Sequence, residues 1–306
     1  MSPELANNAP DFASFAAYLR GLQAGIAAQL NLRSHTAMSV DEWTRPEGGG
    51  GRAMMIEDGD VFERAAVNFS HVMGKHLPPS ALVNRPELTD KPWQAAGISL
   101  VLHPVNPHAP TIHMNLRLFV AQNVWWFGGG IDLTPVYGYE DDARHFHQGL
   151  KRVLDGFDAA LYPEMKALCD QYFTIKHRKE MRGIGGIFFD DFTRFAYARS
   201  AQMLRAIGDA FCGLYLPILD RRCRTPYTPA QVHWQSLRRA RYIEFNLVYD
   251  RGTHFGLQSN GHINAILLSL PLKATWRYRD ALDYPPESHE MRTVHEFLQA
   301  RDWTRE

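Results

Sequence analysis

Thr111-Ile112-His113-Met114-Asn115-Leu116-Arg117-Leu118-Phe119-Val120 alternates without a break between two kinds of side chain. Ile112, Met114, Leu116, Leu118 and Val120 make one face, and Thr111, His113, Asn115, Arg117 and Phe119 the other. A period of two marks a strand with one face in a core, because successive side chains leave opposite sides of the pleat. Residues 97–103 repeat the pattern, with Ile98, Leu100 and Leu102 on one side and Ser99, Val101 and His103 on the other. Between them, Pro104-Val105-Asn106-Pro107-His108-Ala109-Pro110 continues neither ladder. A loop this short cannot hold a crossover helix, so the two strands pair antiparallel. Residues 124–127 read as a third strand running into Gly128-Gly129-Gly130.

Outward from this sheet the period changes. Phe12, Phe15, Ala16, Leu19, Leu22, Ile26 and Leu30 recur at helical spacing, which predicts a helix over 12–30 opening near Asp11. Residues 139–157 read as a helix with an acidic first turn, Glu140 to Asp142, suited to the positive end of its dipole. Further helices are expected over 162–180, 193–213 and 229–240, the last capped by Thr228. Further strands are expected over 184–189, 241–250, 263–270 and 275–279. The glycine-rich tract 46–52 reads as a flexible loop, as do residues 1–10. Strands and helices come in blocks and no linker rich in Pro or Ser divides the chain. The expectation is an α+β fold in a single domain over 1–306, with one antiparallel sheet covered by helices.

The 306 residues include 33 basic and 33 acidic side chains, for a formal charge of zero. That balance argues against a nucleic-acid binder and against a polybasic membrane-surface protein. Three cysteines without a CxxC pair point to a reducing compartment rather than a disulfide framework. The longest apolar stretch, 263–272, is interrupted by Asn264, Ser269 and Pro271, and a bilayer needs about 20 apolar residues. The first basic residue is Arg20, unlike the charged start of a signal peptide, so the chain is expected to be cytoplasmic. Gly183-Ile184-Gly185-Gly186 leads into a strand rather than opening a helix, against a phosphate loop.

His113, Asn115 and Arg117 project from one strand face, with outer alpha carbons about 13 Å apart. That spacing suits a large planar ligand gripped at several points, and Ser99 and His103 share the face if the two strands form a hairpin. The same polar residues equally suit a sheet face turned to solvent. Asp132, between glycines and apolar residues, needs a partner if buried. Arg117, a ligand bearing N–H groups, or backbone donors in a turn would each serve. His145 and His147 lie roughly 200° apart on their helix and cannot share a metal. His147 is expected to face inward, and His177 to close the following helix. No HExxH or paired CxxC spacing calls for a metal. Glu244 and Asn246 are placed on one strand face, toward a pocket or a subunit contact.

Together these pieces are more specific than any one. Gly97-Ile98-Ser99, His103-Pro104, His113-Met114-Asn115-Leu116-Arg117, Trp125-Trp126-Phe127-Gly128-Gly129-Gly130, Lys176-His177-Arg178, Arg182-Gly183-Ile184-Gly185-Gly186, Phe188-Phe189-Asp190-Asp191 and Glu244-Phe245-Asn246 through Asp250-Arg251-Gly252-Thr253 occur in order. In these the chain resembles the oxygen-dependent coproporphyrinogen-III oxidases, from about Gly48 to Trp303. The resemblance implies a flat antiparallel sheet sandwiched between helices, and a homodimer through about 242–277. It implies that O2 is the co-substrate that converts two propionates of coproporphyrinogen III to vinyls in heme biosynthesis, with no organic cofactor. The radical-based counterpart needs an iron–sulfur cysteine motif, which this sequence lacks.

Carried over position by position, the resemblance makes His113 the proton donor and Ser99, Asn115, Leu116 and Arg117 substrate contacts. Asp132 becomes the acidic residue that meets the pyrrole N–H groups. His103, His113, His147 and His177 match positions proposed as ligands of a divalent metal in some members. Where the family carries Gly-Gly-Arg, this chain has Asn260-Gly261-His262. A histidine there is only partly charged near neutrality, so affinity is expected to fall more steeply above pH 7. The implied substrate carries about four negative charges. In a chain of zero net charge the attraction must therefore be local, at Arg117 and neighbouring donors. Two other functions fit parts of the sequence: a porphyrin-binding protein without turnover, and a histidine-based metal-dependent hydrolase.

Overall fold

The computed structural model describes residues 9–77, 85–258, 261–278 and 284–305. Six strands follow one another as an antiparallel meander: β1 (Ser39–Thr44), β2 (Gly49–Glu57), β3 (Phe62–Gly74), β4 (Trp93–Pro104), β5 (Thr111–Ala121) and β6 (Val124–Thr134). After a two-stranded hairpin, β7 (Thr174–Ile175) and β8 (Glu180–Met181), strand β9 (Gly185–Phe192) joins the outer side of β6. The helices are α1 (Phe12–Asn31), α2 (Glu140–Asp155), α3 (Leu161–Tyr172), α4 (Tyr197–Arg222), α5 (Pro229–Val248), α6 (Arg251–Gln258), α7 (Ile263–Leu267) and α8 (His289–Arg292).

The alternation in β4 and β5 is realised as expected. Ile98, Leu100, Leu102, Ile112, Met114, Leu116 and Leu118 are buried against α1, α2 and α4, in a core that runs from Phe15 to Trp303. One continuous core makes this a single α+β domain. Helix α1 opens where Asp11 accepts the Ser14 amide. Its buried Gln23 donates to the carbonyls of Arg52 and Val67, pinning it across β2 and β3. Helices α5, α6 and α7 lie over the opposite face and leave a cavity between themselves and the strands. Among the described residues no helix is long and apolar enough to cross a membrane.

Several expected elements differ. Of the tract 46–52, residues 46–48 form the turn expected as loop, but Gly49 begins β2, hydrogen-bonded between β1 and β3. Gly48 and Gly49 have φ of 101° and 79°, a left-handed entry to the strand that glycine adopts without strain. Of residues 1–10, the first eight lie outside the described residues. The strand expected over 241–250 is the second half of α5, whose buried Leu237, Arg241, Tyr242 and Phe245 keep the helical period started by the Thr228 capping box. Residues 263–270 form α7 and a turn, and 275–277 have no regular structure, while Arg279 lies outside the described residues. The helix expected to reach residue 180 stops at Tyr172, so His177 sits in the turn of the β7–β8 hairpin and not at a helix end.

Candidate active site

Antiparallel pairing lines up side chains in rows across the sheet. One row on the cavity face runs Ser70, Gly97, Arg117, Gly128. The next runs Asn68, Ser99, Asn115, Gly130, Phe188, and the third Ala66, Val101, His113, Asp132, Gly186. Glycines at 97, 128 and 130 leave a low floor from which Ser99, Asn115 and Arg117 rise. A Cβ on Gly128 would stand 2.7 Å from Nε of Arg117, so the missing side chain is what lets that guanidinium lie across β6. The cavity over this floor measures ≈ 390 Å³, within the range of small-molecule sites.

His113 and Asp132 are cross-strand neighbours, and Nδ1 of His113 lies 2.8 Å from Oδ1 of Asp132. Asp132 is 1 % exposed and also takes Arg182 Nη2 at 3.0 and 2.8 Å. Arg182 in turn donates to Asn246 Oδ1 at 2.8 Å and lies over the rings of Phe173, Tyr242 and Phe245. Burial alone would push the Asp132 carboxyl up, but the Arg182 charge and the His113 hydrogen bond hold it below the usual carboxylate range. An ionised Asp132 accepts from Nδ1–H, which fixes the tautomer and leaves Nε2 of His113 to the cavity. The side chains thus form a chain from the buried Arg182 to the half-buried His113 at the cavity.

Asp132 itself does not line the cavity, and both its oxygens are engaged. The pyrrole N–H groups were the expected partners of Asp132, and in this structure its partners are His113 and Arg182. It acts on His113, and its cation is Arg182, not Arg117. Arg117 instead donates to Asn115 Oδ1 and pairs with Asp190 at 2.8 Å. The side chain of Leu116 is buried in the core, which leaves its backbone for any substrate contact. Ser99, Asn115 and Gly261 do line it, and Asn260 lies outside the described residues.

His262 lines the cavity mouth but caps α7, with Nδ1 accepting the Ala265 amide and Nε2 facing Asp41 at 3.5 Å. Its ring stacks on Trp43 at 4.4 Å. The cap occupies Nδ1, so Nε2 is the one nitrogen of His262 left to donate.

The four histidines matched to metal positions do not converge. His103 is fully buried between Thr111 and the Ser269 carbonyl. His147 lies in the helix layer on the core face, bound to Tyr162 and the Ile184 carbonyl. His177 holds Tyr249 and Glu244. Among the described residues, no group of three or more His, Cys, Asp or Glu side chains is placed to hold a metal ion. These side chains do not fit a shared metal site.

The sequence alone does not single out Arg182 or the Asp190–Asp191 pair as site residues. The need of Asp132 for a counter-ion is visible in the sequence, but its partner is 50 residues away, beyond α2, α3 and the β7–β8 hairpin. Asn246 does reach the cavity, whereas Glu244 does not. Glu244 joins Arg178, His177, Arg241 and Trp276, tying the β7–β8 hairpin to α5. A family model described as Coproporphyrinogen III oxidase matches residues 14–303.

Proposed function

The chain belongs to the coproporphyrinogen III oxidase family, and from that premise we propose that it is the oxygen-dependent enzyme of heme biosynthesis. It converts two propionates of coproporphyrinogen III to vinyls with O2, giving protoporphyrinogen IX. The observation that carries this reading is the glycine floor bearing Ser99, Asn115 and Arg117 beside the Arg182–Asp132–His113 chain. A flat macrocycle with anionic arms needs a bare surface under its ring and charged donors at its rim.

Each conversion is –CH2–CH2–COO⁻ → –CH=CH2 + CO2 + H⁺ + 2 e⁻, with the electrons passing to O2. Arg117 fixes a propionate, and Ser99 and Asn115 lie under the ring. His113 Nε2 is the one group at this floor built to exchange a proton, because Asp132 stabilises the imidazolium that results. Asp132 is a positioning residue, itself kept ionised by Arg182. No flavin, heme or other organic cofactor enters the reading. The protein works in the cytoplasm as a homodimer through about 242–277, where Leu247, Val248, Leu257, Ile263 and Trp276 stand exposed. Sedimentation as a monomer at micromolar concentration would contradict the dimer.

Simultaneous O2 uptake and porphyrin fluorescence after oxidation of the product test the activity. Substrate binding without O2 uptake would make the chain a binding protein. Activity abolished by EDTA and restored by a divalent metal would favour metal-dependent chemistry.

A further inference from the structure

Arg117 rises from β5 and Arg251 descends from α6, and the two meet on one carboxylate. Arg117 Nη2 lies 2.8 Å from Oδ1 of Asp190 and Arg251 Nη2 3.2 Å from Oδ2. The next residue, Asp191, takes Arg85 at 2.6 Å. Consecutive side chains of a straight strand leave opposite faces. Here Phe192 pairs with Phe127 and Phe189 with Gly129, so Asp190 and Asp191 together oppose Gly128. Asp191 has a left-handed φ of 51°. This is a β-bulge, which re-aims side chains, and it turns two successive carboxylates toward arginines that line one cavity. Left-handed backbone at a residue with a side chain is a strain that concentrates at functional sites.

We propose that Asp190 is an internal stand-in for a substrate carboxylate. It holds Arg117 and Arg251 in the empty cavity and yields them to a propionate when the macrocycle binds. The inference rests on the reading of the cavity as a tetracarboxylate site. A ligand carboxylate must compete with Asp190 for the same guanidinium donors, so the site favours ligands with enough anionic arms to win that exchange. The product has two carboxylates fewer, and Asp190 retakes the arginines as it leaves. Asp190 thereby keeps Arg117 and Arg251 paired whenever no ligand carboxylate occupies them.

Asp190→Asn in the full chain tests this. Asparagine keeps the oxygen that accepts the Asp191 amide at 3.1 Å, so the bulge is retained. The expected result is a roughly fivefold lower KM for coproporphyrinogen, without a rise in kcat. Equilibrium binding of the oxidised tetracarboxylate porphyrin, read by tryptophan quenching, should tighten by a similar factor. Binding of a dicarboxylate porphyrin, which has fewer carboxylates to place on the freed arginines, should tighten less, and Asp190→Glu should restore wild-type values. Asp190→Ser reads the same question should the amide variant not fold. A raised or unchanged KM with no gain in porphyrin affinity would overturn the proposal and leave Asp190 as a mere prop for Arg117. Wild-type protein that neither binds nor turns over the macrocycle would instead remove the underlying reading, and the inference with it.

Discussion

His113 and Asp132 divide one task between an exposed and a buried side chain. His113, 21 % exposed at its side chain, presents Nε2 to the cavity, while Asp132 fixes its tautomer from below. His113→Gln should lower kcat by about 10²- to 10⁴-fold with little change in the melting temperature, because proton exchange is lost and the buried pair beneath is untouched. Asp132→Asn should lower kcat as well, and in addition destabilise the fold by about 3 kcal/mol, because the buried Arg182 loses its counter-ion. Steady-state kinetics beside thermal denaturation check the split. An Asp132→Asn protein of wild-type stability would contradict the role given to Arg182. Asp132 was legible in the sequence as a residue that needed a partner, but which partner was not. Arg182 lies 50 positions away, and only the docking of β9 beside β6 brings it there.

At the scale of elements, β4, β5, α1 and α2 were readable because each buries one face or one stripe, which writes its period into the chain. Glycine writes no period, so the sequence predicts a loop where β2 begins and an end of β6 at its glycines, although the strand continues through Thr134. Residues 241–250 alternate by chance within a helix, and a window that short fits either period. The glycines of β6 also allow a sharp comparison. A Cβ at 128 meets the movable end of Arg117, whereas a Cβ at 129 would lie 2.5 Å from the backbone oxygen of Asn115. Gly128→Ala should therefore raise KM several-fold at nearly unchanged stability, and Gly129→Ala should lower stability by about 1–3 kcal/mol. Equal loss of stability in both variants would refute this account of the floor.

Over the whole molecule, two buried histidines set an acid limit that lies outside the reaction. Burial and the nearby Arg239 push His103 down to about 3, and burial with Lys166 does the same for His147. Both stay neutral in the fold, while in the unfolded chain each takes a proton near pH 6.5. Their contribution is complete above that pH and is lost progressively as pH falls toward 3. By pH 5 each should destabilise the fold by about 2 kcal/mol. Denaturant midpoints between pH 7.5 and 5 measure this, and His147→Gln should flatten the slope by about half. Zero net charge argues against polyanionic partners drawn by a long-range field, and the proposed anionic substrate would have to be met by local cations. The cavity arginines are held by Asp190 and Asp191, the pairs a ligand carboxylate would displace under the exchange proposed above. The most direct test of the central claim is O2 consumption by the purified, EDTA-treated chain given coproporphyrinogen III and no added cofactor. The account predicts O2 uptake in step with the appearance of protoporphyrinogen IX. Tight binding of the macrocycle with no O2 consumed and all four carboxylates intact would contradict it.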